Sequence, residues 1–206
     1  MTISYAITVC NKIEELTKLL NFLQVYIREE DEIVVQYDEQ SVTDEVKDYL
    51  NLMEKMHNYT IVGFPLNKDF ASFKNNLKQN CTKDYIFQID ADEIPHEALI
   101  EYLPEVLESN PVDVVFVPRV NTVEGLTQEH IQKWRWNVNE NGWVNWPDYQ
   151  MRIYKRTDDV MWMNKVHEKI TGFNNFSNFP AEEHWSLYHP KEIKRQEKQN
   201  QFYETI

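Results

Sequence analysis

Tyr85-Ile86-Phe87-Gln88-Ile89-Asp90-Ala91-Asp92-Glu93 is the stretch that decides how the rest of this chain is read. Five mostly apolar residues run straight into three carboxylates interrupted by one alanine. A short apolar run of this kind predicts a strand buried on both faces, as in the middle of a parallel sheet. Open parallel sheets take their ligands outside the carboxyl ends of the strands, where Asp90, Asp92 and Glu93 would emerge. Crowded acids are costly unless a cation or a polar ligand answers them. A diphosphate held through a divalent metal is one such answer. Capping of a helix that opens near Pro95 accounts for Asp90 and Asp92 equally well from the acids alone.

Working outward, the chain before this stretch alternates strands and helices. Residues 3–9 read as a first strand. Asn11 is a plausible N-cap with Glu14 as its capping-box partner, before a helix whose Leu16, Leu19, Leu20 and Leu23 have helical spacing. Residues 33–37 form a second strand delivered into Asp38-Glu39-Gln40-Ser41, and a helix starting in 41–45 buries Val46, Tyr49, Leu50 and Met53. Residues 59–64 are a third strand, and 69–80 a helix with Phe70, Phe73 and Leu77 on one face. Beyond the acidic tip, Pro95 opens a helix that Pro104 is expected to break near Tyr102, and 112–117 is a further β-branched run. This βαβα order predicts an α/β fold with a doubly wound, mostly parallel sheet over residues 1–117.

The second half changes character. Residues 118–150 are polar and aromatic with turn signals, 151–154 and 164–170 read as short strands, the latter ended by Gly172, and 190–203 as a charged helix. With no internal repeat and no linker composition, residues 1–206 read as a single domain in which 118–206 wraps on 1–117. Trp134, Trp136, Trp143, Trp146 and Trp162 gather in this half. They suit a satellite core, expected for most of them, or a wall for a ring-shaped ligand; 134–146 is the place to look for acceptor contacts.

Composition narrows the partners. The 34 acidic and 21 basic side chains give a formal charge of -13, so nucleic acid is an unlikely main partner. Cys10 and Cys81 suggest neither a disulfide framework nor a zinc site and read as buried thiols. No window resembles a membrane span or a signal peptide. The expectation is a soluble cytoplasmic protein, at most transiently docked on a membrane surface, and a monomer or weak homo-oligomer.

Asp38, Asp90 and Asp92 each end or follow a predicted strand, which brings them to one rim. A nucleotide there needs an acceptor for base or ribose, a metal bridging an acid to the diphosphate, and a cation to offset leaving-group charge. Asp38 suits the first role and Asp92 the second, with His184, Lys191, Lys194 and Arg195 as candidates for the others. With four glycines in the chain, neither phosphate-binding glycine motif is present, against a P-loop ATPase or a typical NAD enzyme. Glu168, next to His167, could act as a general base, though a surface pair is an equally good account in isolation. His57, His96, His130 and His189 show no metal-ligand spacing and receive no role.

The ordered set of motifs resembles the family-2 glycosyltransferases with the GT-A nucleotide-sugar-binding fold, over nearly the whole chain. Within them it looks closest to the small bacterial and phage-type enzymes related to lipopolysaccharide-core glucosyltransferases. The matching pieces are Val9 to Glu15, Val34 to Asp44, Asp69 to Asn75, Ile89 to Glu93, Trp146 to Arg156, Val166-His167-Glu168 and Glu183 to Ser186. The resemblance implies that Asp38 contacts the nucleotide base, with Asn11 and Glu14 lining the same pocket, and that Lys74 is the basic residue of the donor-side helix. It further implies Asp90 toward ribose or metal, Asp92 as principal metal ligand, His184 as the late histidine completing the metal or diphosphate site, and Glu168 as the base, with Asp148 as its rival. Glu93 remains a helix cap. The implied cofactors are Mn²⁺ or Mg²⁺ with a UDP-sugar donor, and the implied acceptor is a glycan or protein hydroxyl. Two departures stand out: Glu45-Val46 follows Asp44 where the family has Gly-Thr, and His167-Glu168 replaces a Glu-Asp pair. A nucleotidyltransferase of related fold, or a non-catalytic sugar-binding module derived from a transferase, are the alternatives.

Overall fold

The computed structural model describes residues 1–203, with side chains through Lys198. In chain order the first half contains β1 (Ile3–Val9), α1 (Ile13–Tyr26), β2 (Glu32–Asp38), α2 (Asp44–His57), β3 (Thr60–Phe64), α3 (Phe70–Gln79), β4 (Tyr85–Asp90), β5 (Ile94–Pro95), α4 (Glu97–Ser109) and β6 (Val114–Val117). The second half contains β7 (Arg119–Glu124), α5 (Gln128–Trp134), β8 (Gln150–Lys155), β9 (Met161–Met163), β10 (Lys169–Thr171), β11 (Phe176–Asn178), a 3-10 turn over Glu183–Trp185, β12 (Leu187–Glu192) and α6 (Ile193–Tyr203).

The main sheet runs β11-β6-β8-β4-β1-β2-β3. Strands β3, β2, β1 and β4 are parallel, and β8 inserts antiparallel between β4 and β6. This is the mostly parallel doubly wound sheet expected, with strands from the second half completing it. Alternation along the central strands builds two cores. Tyr5, Ile7, Val35 and Phe87 pack with Leu16, Leu20, Leu50, Leu99 and Leu103 of α1, α2 and α4, whereas Ala6, Val34 and Ile86 pack with Ala71 and Leu77 of α3 and with Trp162 and Ile170. Period-2 alternation in strands feeding period-3.6 stripes in helices is what covers both faces.

Several local expectations are corrected. Pro95 lies in β5, paired with Leu187 of β12, and α4 begins two residues later behind His96, whose Nδ1 accepts from Ala98 N at 3.1 Å. Pro104 does not end α4; it is buried on the core side with Leu99, Leu103 and Leu107, whose burial offsets the lost backbone bond. The Asn11–Glu14 capping box does not form, since α1 starts behind Lys12 without a side-chain cap. The turn after β2 closes without glycine: Val42 N donates to Asp38 O at 2.9 Å, and Thr43 caps α2. Residues 164–168 are not strand, because Asn164 (φ +75°) and His167 (φ +54°) lie in the left-handed region. Gly172, at φ +80°, does end β10, where a Cβ would meet Asp159 O at 1.8 Å. Of the five clustered tryptophans Trp162 is buried, while Trp134, Trp136, Trp143 and Trp146 are half-buried in ring pairs, so most are not core.

A second sheet, β5-β12-β7, positions the site. Strand β12 runs parallel to β7 with His189 opposite Asn121. The charged segment expected to be helical from Pro190 is therefore strand until Glu192. No helix of the described residues is long and apolar enough to cross a membrane.

Candidate active site

The carboxyl ends of β1, β2 and β4 open into a cleft of about 520 Å³. On a protein of charge -13, its lining carries six basic side chains, Lys12, Lys74, Arg119, Arg152, Lys191 and Arg195, against the acids Asp38, Asp90, Asp92 and Glu168. Local concentration of cations against the net charge marks a binding site for an anion.

At the mouth of β2, Asp38 is buried and organises its own loop. Its Oδ1 accepts from Gln40 N at 3.2 Å and Leu66 N at 3.0 Å, and its Oδ2 accepts from Ser41 Oγ. Cys10 Sγ lies 2.9 Å from Ser41 Oγ and is partly exposed in the same wall.

The acidic tip of β4 divides into three environments. Asp90 Oδ1 accepts from Thr8 Oγ1 at 2.7 Å, its register partner on β1, and Oδ2 from Arg152 Nη2 at 2.8 Å. Burial disfavours its charge, but Arg152 and Lys74 outweigh that and hold the carboxyl below the usual carboxylate range. Glu93 is fully buried and is not a helix cap: Oε1 accepts from Arg152 Nη2 at 2.6 Å and Arg119 Nη1 at 3.0 Å. Asp92 faces the cleft. Its Oδ2 meets Lys12 Nζ at 2.8 Å, Arg195 Nη2, and His189 Nε2 at 3.3 Å.

The far wall carries Glu168, whose Oε1 accepts from Lys74 Nζ at 2.6 Å. Lys74 is buried on α3 and also lies 4.4 Å over the Trp162 ring. The rival carboxylate Asp148 is outside the cleft lining. Its Oδ2 accepts from Arg119 Nη2 at 2.8 Å and Asn121 Nδ2 at 2.7 Å, and its Oδ1 from Gln150 Nε2 at 3.0 Å. Burial raises its pKa, but Arg119 and Asn121 more than reverse that, and the net shift is downward. A carboxylate stabilised and occupied in this way is a poor proton acceptor.

The residues expected from sequence divide accordingly. Asp38, Lys74, Asp90, Asp92, Glu168 and Arg195 line one cleft. Asn11, Glu14 and Lys194 are exposed and outside its lining. His184 is also outside it: the 3-10 turn sets it on the surface, 3.2 Å from Glu182. The histidine that reaches Asp92 is His189, delivered by the β12 register. Lys12, Arg119, Arg152 and His189 are the site residues that sequence reasoning missed. Strand alternation around Leu187, His189 and Lys191 was the available signal for His189, and starting the helix at Pro190 cut that strand short.

The donor set fits a divalent cation in part. Asp90 is turned to Thr8 and Arg152, so the expected set of Asp90, Asp92 and His184 does not converge, and the described residues contain no group of three or more His, Cys, Asp or Glu placed to hold a metal ion. Asp92 and His189 do converge as an oxygen and a nitrogen donor. Two protein ligands suffice where diphosphate and water supply the rest, as is usual for Mg²⁺.

The family model for glycosyl transferase family 2 matches residues 4–185. Among solved structures, the chain is similar to S. aureus TarS in complex with UDP at 14% identity and TM-score 0.66, covering 92% of this chain and 60% of that one. It is similar to the UDP-GlcNAc complex of S. aureus TarS at 14% identity and TM-score 0.65, covering 93% and 59%. At this identity the likeness is one of fold, and the chain spans about 60% of the length of these structures. A search of curated proteins finds no match. With a family model covering most of its length and the matching fold around a cationic cleft, the chain belongs to glycosyl transferase family 2.

Proposed function

We propose that the protein is an inverting, metal-assisted transferase that moves a hexose from a nucleoside-diphosphate sugar, UDP in the first instance, to a hydroxyl of a glycan or protein acceptor. The observation that carries this reading is the two-sided cleft: Asp92 with Lys12, His189 and Arg195 on one side, and Glu168 on Lys74 on the other. One-step inversion needs a base on the acceptor face and positive charge on the leaving-group face.

In this reading residues 1–117 bind the donor, and 118–206 complete the acceptor side while lending His189, Lys191 and Arg195 to the diphosphate. The nucleotide base lies in the wall of Asp38, Leu66 and Cys10. Glu168 takes the proton from the acceptor hydroxyl as its oxygen attacks the anomeric carbon, and the bond to the diphosphate breaks on the opposite face. Lys12, Lys191 and Arg195 then offset the charge that develops on the departing diphosphate. Asp92 and His189 would hold Mn²⁺ or Mg²⁺, which when bound supplies Lewis-acid stabilisation of that same charge. The half-buried tryptophans of 134–146 offer ring faces to a sugar acceptor. The resemblance to lipopolysaccharide-core-type glucosyltransferases favours a glycan.

The test is a panel of nucleotide sugars, with and without Mn²⁺, followed by nucleoside diphosphate release. Release from one donor, increased by metal and by an added glycan acceptor, is the expected result. No binding of any nucleoside diphosphate would sink the reading.

A further inference from the structure

We infer that Asn121 and Asp148 are positioning residues that set the tautomer of His189, so that its Nε2 lone pair is presented to a divalent cation beside Asp92. The inference rests on the transferase reading only for the identity of that cation's other ligands. It assigns Asp148, the rival base by sequence, a different task.

The argument is one of donors and acceptors. Asn121 and His189 are register partners on the parallel strands β7 and β12, and Asn121 Oδ1 lies 2.8 Å from His189 Nδ1. The amide cannot be turned over. Its Nδ2 donates to Asp148 Oδ2 at 2.7 Å and faces Val144 O at 3.5 Å, two groups that only accept. Oδ1 is therefore the atom facing the imidazole, and being an acceptor it requires the proton on Nδ1. Asp148 is kept in its charged, accepting form by Arg119, which donates to Oδ2 from Nη2 at 2.8 Å and from Nε at 3.0 Å.

In the neutral ring the other nitrogen then carries a lone pair. Nε2 lies 3.3 Å from Asp92 Oδ2, so two acceptors face each other. Such a contact is favourable when a proton or a metal ion lies between them. Lys12 and Arg195, both on the same Asp92 oxygen, supply the compensating charge in its absence. A ligating histidine whose second nitrogen is held by a fixed acceptor is the usual way a protein fixes ring orientation and basicity toward a metal. The chain Arg119–Asp148–Asn121–His189 performs that service here, and Asp92 is where it arrives.

The test reads the tautomer directly. Nitrogen-15 spectra of histidine-labelled full chain, assigned with His189→Gln, should show the neutral ring protonated on Nδ1 and bare on Nε2, with the Nε2 signal moving on addition of Mg²⁺ and UDP. Mn²⁺ affinity in saturating UDP, read by the electron paramagnetic resonance of free Mn²⁺, should fall about 10–100-fold in Asn121→Leu. Asp148→Ala, which removes the acceptor that pins the Asn121 amide, should give a mixture of tautomers. A wild-type ring protonated on Nε2 alone, or a Mn²⁺ affinity within twofold of wild type in Asn121→Leu, would overturn the inference. Metal-independent turnover of a nucleotide sugar would also overturn it, while leaving the transferase reading standing. A chain that binds no nucleotide at all overturns that reading, and the nitrogen-15 tautomer then decides this inference by itself.

Discussion

Lys74 Nζ sits 2.6 Å from Glu168 Oε1, joining a buried helix residue to a loop residue 94 positions away. The contact is one of several that tie this loop and the strand before it to α3. Phe70 N donates to Lys165 O at 3.0 Å, and Asn75 brackets the Trp162 backbone by donating to its carbonyl at 2.8 Å and accepting from its amide at 2.9 Å. Glu168 is thereby aimed into the cleft by a cation that also acts on Asp90. The cleft around it is also lined by Asp90 from β4, Arg152 from β8 and the His167 ring, and Lys165 and Lys169 flank it along its own segment.

If Glu168 is the base, Glu168→Gln keeps the shape and removes the proton acceptor. Turnover should fall by about 10²–10⁴-fold, the usual share of a general base, while UDP affinity by calorimetry stays within about threefold, on the order of 0.7 kcal/mol. A Glu168→Gln enzyme of near wild-type rate would reject this assignment.

Lys74→Met should lower kcat, because Glu168 loses the ammonium that holds it in the cleft at 2.6 Å, and Lys74→Arg should restore part of the rate. A variant that changes donor KM alone, with kcat unmoved, would make Lys74 a phosphate ligand instead.

The buried network of Arg152, Glu93, Asp90 and Arg119 predicts both a mutational and a pH effect. Arg152→Met leaves two carboxylates without their shared guanidinium and should cost about 3–5 kcal/mol in urea unfolding. For Asp90 the folded pKa lies below the unfolded one, so its contribution is fully present above about pH 4 and is lost as pH falls below that. Unfolding free energy measured from pH 6 to pH 3 should decline, and Asp90→Asn should flatten the decline. Equal slopes in the two proteins would show that the coupling is absent.

The two thiols should differ in reactivity. Burial, reinforced by Glu32, pushes the Cys81 thiol up to about 12, whereas Cys10 is partly exposed beside Ser41. One equivalent of a thiol reagent should react with the native chain at pH 8, at Cys10, and two after unfolding. UDP should protect Cys10, which lines the cleft; protection of Cys81 instead would contradict this placement.

The elements of the first half were legible because their signal is local. Alternation in 3–9 and 33–37, and helical spacing at Leu16, Leu19, Leu20 and Leu23, state which face each segment buries, and burial on both faces dictates the parallel sheet that carries Asp38, Asp90 and Asp92 to one rim. The motifs carried the family. What they could not carry was pairing at a distance. Glu93 reads as a cap until Arg119 and Arg152, 26 and 59 residues away, are folded against it. His189 reads as one unplaced histidine among several until β12 lies beside β7 and sets it between Asn121 and Asp92. The acidic tip of β4 was thus written in the sequence as chemistry without partners. Hydrophobic period is a property of neighbours along the chain, whereas the meaning of a charge depends on which opposite charge the fold brings within about 3–4 Å of it.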